Sequence, residues 1–352
     1  MKSLLKKYLF PLLFSLTLFS QTVPSGTISG TIRDADTGDP LYFVNIFLAN
    51  TTLGTASDED GYYKIENIPP GNYDIVFSHI GYEVQIIPVK ITFDEYIIEN
   101  MNIRLKSKVL NGEKITIETE VPREWRKNLE RFMRIFIGET GNALKCTIKN
   151  PEVIDLQVDP ETNVLTASSE SMIKIENQAL GYDIEIILVE FEWETDDKGL
   201  YTIYPYFKEM VPENDKAYQK WLNNRYETYR GSLQHFLSSL VLDRIEENKF
   251  YLYRPRFIGR TYWMSEHIEP DSIQSTLIDS TYYIKRIIYN GYLLVNYDDV
   301  LDQYKSSLEF KNQYVDIDSF GYNITSYSLK TGGYWATLRI ADTLPRNYRP
   351  PK

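Results

Sequence analysis

The sequence predicts a mainly β protein, with a seven-stranded β-sandwich over residues 24–106 followed by an α+β domain over residues 122–345. Three observations support this fold class. The length of 352 residues suits two domains of ordinary size. Aromatic residues make up 14% of the chain, including 28 tyrosines, and such side chains fit a pleated, half-buried surface. Short runs of alternating apolar and polar residues, separated by turns, begin at Gly26.

The turns between these runs contain residues suited to sharp reversals of the chain. Residues 36–38 (Asp-Thr-Gly) and 58–61 (Asp-Glu-Asp-Gly) predict hairpin turns, because glycine tolerates positive φ. Residues 69–71 (Pro-Pro-Gly) predict a stiff turn before the next strand. The predicted strands occupy residues 26–33, 41–48, 52–57, 61–66, 72–79, 82–91 and 96–105. Regular spacing of short strands and turns is typical of a β-sandwich.

Short motifs in this domain also point to a known family. They are Gly30-x-Ile32-x-Asp34, Thr37-Gly38-x-Pro40-Leu41, Val44, Gly54-Thr55, Asp58-x-x-Gly61-x-Tyr63, Ile68-Pro69-x-Gly71-x-Tyr73 and Ser78-x-x-Gly81-Tyr82. In order and spacing they resemble the carboxypeptidase-regulatory-like domain, a transthyretin-like (prealbumin-like) sandwich common in secreted Bacteroidetes proteins. The family usually has Thr before the turn Asp, and this chain has Ser57.

The resemblance implies a neighbour that this sequence does not contain. In the family, the domain lies beside metallocarboxypeptidases or precedes the plug of TonB-dependent outer-membrane transporters. A zinc carboxypeptidase needs a His/Glu cluster and a further His. The three histidines, His79, His235 and His267, fall in neither HxxE nor HExxH. The remaining chain is too short for both a plug and a large barrel. We therefore expect no zinc site, no cofactor and no catalytic residues.

The N-terminus reads as a secretory signal peptide over residues 1–21. Lys2, Lys6 and Lys7 form a positive segment, and Leu9–Phe19 form a short apolar stretch. The alternative is an uncleaved N-terminal anchor, which the shortness of the stretch disfavours. No Cys follows that could carry a lipid. We therefore expect an exported protein in the periplasm or at the outer membrane or cell surface.

The charge of the chain limits its partners. Removing the three lysines of the signal segment takes the formal net charge from −11 to −14. Such an acidic protein has no general electrostatic attraction for nucleic acid or anionic lipid. No later stretch is long and apolar enough for a membrane-spanning helix. We expect a protein or glycan partner at the cell envelope.

A polar linker over residues 107–121 leads into the second domain. A helix is predicted from Pro122, because apolar residues at positions 125, 129, 132 and 136 form one stripe, with Arg and Lys on the solvated face. A second helical segment is predicted over residues 214–247, with a kink, break or close contact at Gly231. The predicted strands are residues 153–158, 163–167, 171–176, 182–193, 200–206, 250–253, 281–288, 291–297, 307–310 and 313–317. Residues 182–193 alternate well and should form a long central strand.

Four blocks of this half also resemble recurrent parts of Bacteroidetes proteins that pair a regulatory-like domain with such a region. They read "ETGNALKCTIKNPEVIDL", "IENQALGYDIEIILVEFEW", "YRGSLQHFLSSLV" and "GYWATLRIADTLPRNY". The resemblance spans roughly residues 120–350 and implies no known activity.

Two histidines are the strongest candidates for chemistry. His235 lies beside Ser232, Ser238 and Ser239, but a Ser/His/Asp triad also needs a nucleophile on a sharp turn and an oxyanion hole, and no GxSxG occurs. Structural hydrogen bonds along a helix are the favoured interpretation. His267 lies between acidic residues, and a polar loop is favoured over a metal site because the next histidine is remote in sequence.

Acidic residues and the single cysteine also have structural interpretations. Residues 34–39 and 58–61 superficially resemble calcium loops but lack a terminal bidentate Glu, so hairpin turns without calcium are expected. The pairs at residues 196–197 and 298–299 lie in turn-like contexts, which disfavours glycoside hydrolysis. Cys146 has no partner for a disulfide and is expected to be a buried small hydrophobe.

The leading functional hypothesis is a non-catalytic envelope protein. The sandwich would act as an interaction or docking module, and the second domain would bind a partner or ligand. One alternative is a divergent secreted hydrolase with its site around His235. Another is an assembly or accessory factor for an outer-membrane transport system.

Overall fold

A computed structural model describes residues 25–92, 95–108, 123–194, 198–258, 261–280, 283–298, 305–325 and 328–351. The predicted signal peptide at residues 1–21 and most of the predicted linker at residues 107–121 lie outside these ranges. Within them the protein is mainly β, with several antiparallel sheets and four α-helices. The predicted fold class is confirmed at this level.

The N-terminal sandwich consists of two four-stranded sheets that enclose one apolar core. Its strands are β1 (Gly26–Asp34), β2 (Asn45–Leu48), β3 (Gly54–Ala56), β4 (Tyr62–Ile68), β5 (Gly71–Ser78), β6 (Gln85–Ile91), β7 (Ile97–Ile98) and β8 (Ile103–Leu105). One sheet has the order β4-β1-β7, with β8 also paired to β1, and the other has the order β3-β2-β5-β6. The two acidic turns predicted as hairpins carry the chain from one sheet to the other.

The predicted number of seven strands is not confirmed, because the run at residues 96–105 forms two short strands. Asn100 takes a left-handed φ of 58° and ends the pairing of β7 with β1. The next residue, Met101, donates its N–H to the Ser29 carbonyl at 3.0 Å. Its backbone approaches so closely that a Cβ on Gly30 would lie 2.1 Å from the Met101 oxygen. The chain then returns to β1 at Ile103 as β8.

The next layer is a six-stranded sheet covered by a helix. Its elements are α1 (Arg123–Phe136), β9 (Cys146–Ile148), β10 (Ile154–Val158), β11 (Leu165–Ser169), β12 (Ile173–Asn177), β13 (Tyr182–Trp193) and β14 (Gly199–Glu209). The strand β13 has the predicted bounds and pairs with β11, β12 and β14, so it is central. Phe132 and Phe136 of α1 are fully buried in the core of this layer.

The second predicted helical segment forms two helices. These are α2 (Asp215–Tyr229) and α3 (Leu233–Val241). The break falls at Gly231, which has a φ of 70° and packs so closely that a Cβ would lie 2.7 Å from a ring atom of Tyr297. The alternatives of a break and a close contact, both anticipated at Gly231, therefore occur together.

A further layer follows, with its own core. Its elements are β15 (Phe250–Ile258), β16 (Thr261–Ile268), β17 (Gln274–Asp279), β18 (Ile284–Ile288), β19 (Gly291–Tyr297), β20 (Ser306–Phe310), β21 (Val315–Ile317), β22 (Leu329–Gly333) and α4 (Tyr334–Thr337). One sheet has the order β16-β15-β19-β20-β22 and a smaller one the order β17-β18-β21. The strands β16, β17 and β22 were not predicted. Every residue of β17 except the last is exposed, so the alternation that marks a strand is absent.

Candidate functional site

His235 lies in an aromatic cluster at the start of α3. Its ring centroid is 4.8 Å from that of Tyr229, 4.9 Å from that of Phe250 and 5.8 Å from that of Tyr297. The Gly231 N–H donates to His235 Nδ1 at 3.1 Å, which fixes the proton of the neutral ring on Nε2. Burial, followed by the nearby Arg230 charge, lowers the pKa of His235 to about 4. The ring is therefore neutral near pH 7.

The serines near His235 serve the helix backbone rather than the imidazole. Ser232 is the N-cap of α3 and accepts from the His235 N–H at 3.1 Å. Ser239 donates to the His235 carbonyl at 2.6 Å, and Ser238 donates to the Ser319 carbonyl at 2.8 Å. Each hydroxyl therefore already forms a structural hydrogen bond, which it would have to break to act as a nucleophile.

The other titratable candidates lie apart from one another. His267 lies in β16, not in a loop, because its strand pairs with β15. Its Nδ1 is 3.6 Å from Glu269 Oε1 on the surface. Cys146 begins β9, and burial, then the Asp342 charge, raises the pKa of its thiol to about 12. Such a thiol remains protonated and unreactive at neutral pH.

The acidic turns bind their own backbone. Asp34 Oδ1 accepts from the N–H groups of Asp36 at 2.7 Å and Thr37 at 2.9 Å, and its Oδ2 accepts from Tyr82 OH at 2.7 Å. These bonds lower the pKa of Asp34. Asp58 Oδ1 accepts from two N–H groups of its own turn. Across the described ranges, no three His, Cys, Asp or Glu side chains are grouped as a metal site requires.

The carboxylate pairs considered as candidates for glycoside hydrolysis, at residues 196–197 and 298–299, are only partly described by the structure. Asp298 forms ion pairs with Lys249 at 2.8 Å and with Arg230 at 3.7 Å. Asp196, Asp197 and Asp299 lie outside the described residues. Asp298 is thus bound to cations, which is the arrangement of a structural carboxylate.

A basic groove of about 2450 Å³ lies between α1, the β13–β14 hairpin and the chain around α4. It is larger than a typical small-molecule pocket. Among the residues that the structure describes, seven cations line it, namely Arg123, Arg126, Lys127, Arg131, Arg134, Lys330 and Arg339. Four acids of the same described set line it, namely Glu124, Glu130, Glu139 and Glu194. The basic groove therefore carries an excess of positive charge in a strongly acidic protein.

Two of these cations are held by the backbone. Arg131 Nη2 donates to the Asn163 carbonyl at 3.1 Å, and Arg339 Nε donates to the Ile135 carbonyl at 3.0 Å. The Arg339 guanidinium also lies 5.5 Å from the centroid of the Trp193 ring. Along α1, Arg123, Lys127 and Arg134 are exposed at the groove. Arg131 and Arg339 are thus held in place at the groove, and the exposed cations are arranged along α1.

The sandwich is joined to the rest of the protein by a buried junction. The outer face of β2 and β5 packs on β13 and β14, and the Phe47 and Tyr206 rings stack with centroids 5.0 Å apart. The Asn50 N–H donates to the Pro205 carbonyl at 2.7 Å, and the Phe207 N–H donates to the Thr51 carbonyl at 3.0 Å. Backbone bonds and an apolar cluster therefore fix the orientation of the sandwich.

Arg346 is the central side chain of this junction. Its guanidinium forms an ion pair with Asp318, and the two side chains are only 4% and 3% exposed. It also donates to the Asn72 carbonyl and lies 4.6 Å from the Tyr73 centroid and 4.3 Å from the Tyr322 centroid. One side chain therefore connects the sandwich with the layer of β15–β22.

This junction could not be predicted from the sequence. Arg346 lies just beyond the predicted end of the second domain at residue 345, and the residues that it contacts are remote along the chain. The next residue, Asn347, exchanges hydrogen bonds with Thr52 across 295 positions. Pattern reasoning works over one element at a time, so contacts at this separation leave no local signal.

The protein is β-rich and begins with a sandwich that the buried junction joins to the later layers. Comparison with known proteins supports the assignment of this sandwich to a regulatory-like domain. Residues 28–117 match the profile of the CarboxypepD_reg-like domain. This confirms the resemblance stated from the motifs. The matched range covers the sandwich and continues beyond β8.

Curated relatives share only a short segment with this chain. The TonB-dependent receptor P39 of Formosa agariphila is 36% identical over 83 residues, which are 24% of this chain and 8% of that receptor. The TonB-dependent receptor SusC of Bacteroides thetaiotaomicron is 36% identical over 75 residues, which are 21% of this chain and 7% of SusC. The chain thus spans less than a tenth of these relatives.

Solved structures resemble the protein weakly. BcpA, the major pilin subunit of Bacillus cereus, is 20% identical and has a TM-score of 0.22, covering 24% of this chain and 31% of BcpA. In the part of the chain that the structure describes, no helix has the length and apolar character needed to cross a membrane.

Proposed function

We propose that this is a non-catalytic protein of the cell envelope, in which the sandwich is a docking module and the C-terminal region binds an anionic partner or ligand. The basic groove is the observation that carries the proposal. An excess of positive charge on one face of an acidic chain attracts anions to that face and repels them elsewhere. The matches to TonB-dependent receptors support an envelope setting for the sandwich.

The environment of His235 supports the non-catalytic part of the proposal. A general base needs a pKa near the working pH and a substrate proton within reach. Burial and Arg230 lower the pKa of His235 to about 4, and Nδ1 already accepts the Gly231 N–H. A histidine in this state stabilises the break between α2 and α3.

Binding to a soluble polyanion tests the groove. Heparin serves as the probe because its charges are dense and its backbone is a glycan. Arg123→Glu with Lys127→Glu reverses two charges one helical turn apart on α1. Lys216→Glu with Lys220→Glu makes the same change at the same spacing on the exposed side of α2. We expect the α1 variant to lower heparin affinity at least about tenfold and the α2 variant to change it little.

Two results would contradict the proposal. Equal losses in both variants would show that only overall charge matters. Hydrolysis of peptides or glycans by the purified protein, abolished by His235→Ala, would identify an enzyme instead.

A further inference from the structure

A pair of adjacent aromatic side chains projects from the sandwich between β1 and β2. Tyr42 is 55% exposed and Phe43 is 61% exposed, and their ring centroids lie 5.5 Å apart. We call these two residues the aromatic tip. Neither ring belongs to the apolar core of the sandwich. Packing inside the fold therefore does not account for them.

The backbone at the aromatic tip is strained. Phe43 has a φ of 61°, in the left-handed region that a bulky residue rarely occupies. Glycine would adopt this conformation without a steric penalty. The fold itself therefore gains nothing from Phe at this position, and backbone strain of this kind is concentrated at functional positions.

The strained segment is nevertheless held firmly. The buried Ser57 hydroxyl accepts from the Val44 N–H at 2.9 Å and donates to the Leu41 carbonyl at 2.6 Å. The Phe43 N–H donates to the Ser57 carbonyl at 3.0 Å. Both sides of the aromatic tip are thus fastened to one buried residue. Rigid aromatic side chains lose little entropy on binding, which is the property of interface anchors.

Exposed acids lie close to the aromatic tip along the chain and next to Ser57, which holds the tip. Asp39 lies three positions before Tyr42, and the turn of Asp58, Glu59 and Asp60 follows Ser57 directly. Pro40 lies against this turn, since its Cβ would be 3.3 Å from a Cβ on Gly61. An anionic membrane surface would be repelled by four carboxylates. A protein surface with cations around an apolar pocket would be attracted by them.

We propose that the aromatic tip is where the sandwich docks, onto a partner protein with an apolar pocket rimmed by Lys and Arg. This inference rests on the docking role proposed above and names the surface and the chemistry of its partner. Tyr42 and Phe43 enter the pocket, and the acids at residues 39, 59 and 60 pair with its rim. Affinity comes chiefly from the rings, and the rate of association comes from the acids.

Site-specific photo-crosslinking in the native envelope tests the aromatic tip. p-Benzoylphenylalanine replaces Phe43 in the full chain, and in a matched control it replaces Ile80, an exposed apolar residue of the same sandwich. We expect one protein to be captured at position 43 and not at position 80. The crosslinked peptide of that protein should contain Lys or Arg close to apolar residues.

Binding of the identified partner, once purified, supplies the second readout. Tyr42→Ser with Phe43→Gly should lower affinity at least about tenfold, because hot-spot aromatics dominate interfaces. Glu59→Gln with Asp60→Asn should lower the association rate several-fold at low salt and much less at high salt. The first variant should melt no lower than the wild type, so lost binding would not reflect unfolding.

Other outcomes would overturn the inference. These are a lipid, a glycan or a second copy of this chain at position 43, equal capture at positions 43 and 80, or unchanged affinity in the Tyr42/Phe43 variant. If one of these outcomes is found but heparin binding still depends on α1, the docking role of the aromatic tip is disproved while the proposed function stands. If position 43 captures a basic partner but the α1 variant binds heparin normally, the groove fails instead.

Discussion

The buried junction and the aromatic tip both combine aromatic rings with charged residues, with opposite results. At the buried junction, Tyr73 and Tyr322 enclose Arg346, and Asp318 neutralises it. At the aromatic tip, Tyr42 and Phe43 are exposed among acids. The first arrangement uses its interactions within the molecule. At the aromatic tip the rings and charges remain exposed. The junction therefore stabilises the fold, whereas the aromatic tip is a surface that a partner can bind.

The largest expected effect lies at the buried junction. Arg346→Ala leaves the Asp318 carboxylate buried without its cation, which costs about 3–5 kcal/mol. Arg244→Ala is the control, since Arg244 forms an exposed ion pair with Glu247 at 3.7 Å and should cost less than about 1 kcal/mol. Urea unfolding followed by tryptophan fluorescence measures both. Similar losses in the two variants would show that the junction is no more than surface contact.

A pH titration of the free energy of unfolding tests the burial of His235. The pKa of His235 is about 4 in the folded protein and near 6.5 in an unfolded chain. The unfolded chain therefore binds the proton first, and stability is complete above pH 6.5 and falls as the pH drops toward 4. The loss reaches about 3 kcal/mol. His235→Asn keeps an acceptor for the Gly231 N–H and should remove this part of the slope, and an unchanged slope in this variant would contradict the prediction.

The strain at the aromatic tip predicts a smaller effect of the opposite sign. Phe43→Gly relieves a left-handed conformation and should raise the free energy of unfolding by about 1 kcal/mol. Tyr42→Ser lacks this relief and should be close to neutral. Differential scanning calorimetry measures both. A lower melting temperature in Phe43→Gly would mean that the ring contributes to folding and not to docking.

No effect is expected from calcium. The oxygens of Asp34 and Asp58 accept hydrogen bonds from backbone N–H groups and Tyr82, so both turns are complete without an ion. The melting temperature should be the same with calcium and with EDTA. A rise of several degrees with calcium would reveal a site in the turns.

Local patterns explain why much of the fold could be predicted. Alternation of apolar and polar residues over most of the strand marks β13 at Tyr182–Trp193, and the stripe ending at Phe136 marks α1. The seven-strand count failed because Asn100 divides one apolar run in a way that depends on the close approach of Met101 to Gly30. The strand containing His267 was missed because residues 265–272, the stretch around the histidine, are mostly polar.

The candidate surfaces were less predictable than the fold. The basic face of α1 was visible in the sequence, but its groove forms only where α1 meets Trp193 and Arg339 from distant elements. Phe43 sat inside a run read as a strand, and only the structure shows its left-handed backbone. The structural role of Arg346 and Asp318 depends on their contact with each other, which only the structure shows.

The long sequence separation across the buried junction also orders the folding of the protein. The sandwich closes its core with residues 28–105 alone, whereas its bonds to Asn347 span 295 positions. Closing so large a loop is entropically costly and slow compared with pairing nearby strands. The sandwich can therefore complete its core early, but it can take its final orientation only after both later layers have formed. A fully formed junction therefore indicates that the sandwich and both later layers have folded.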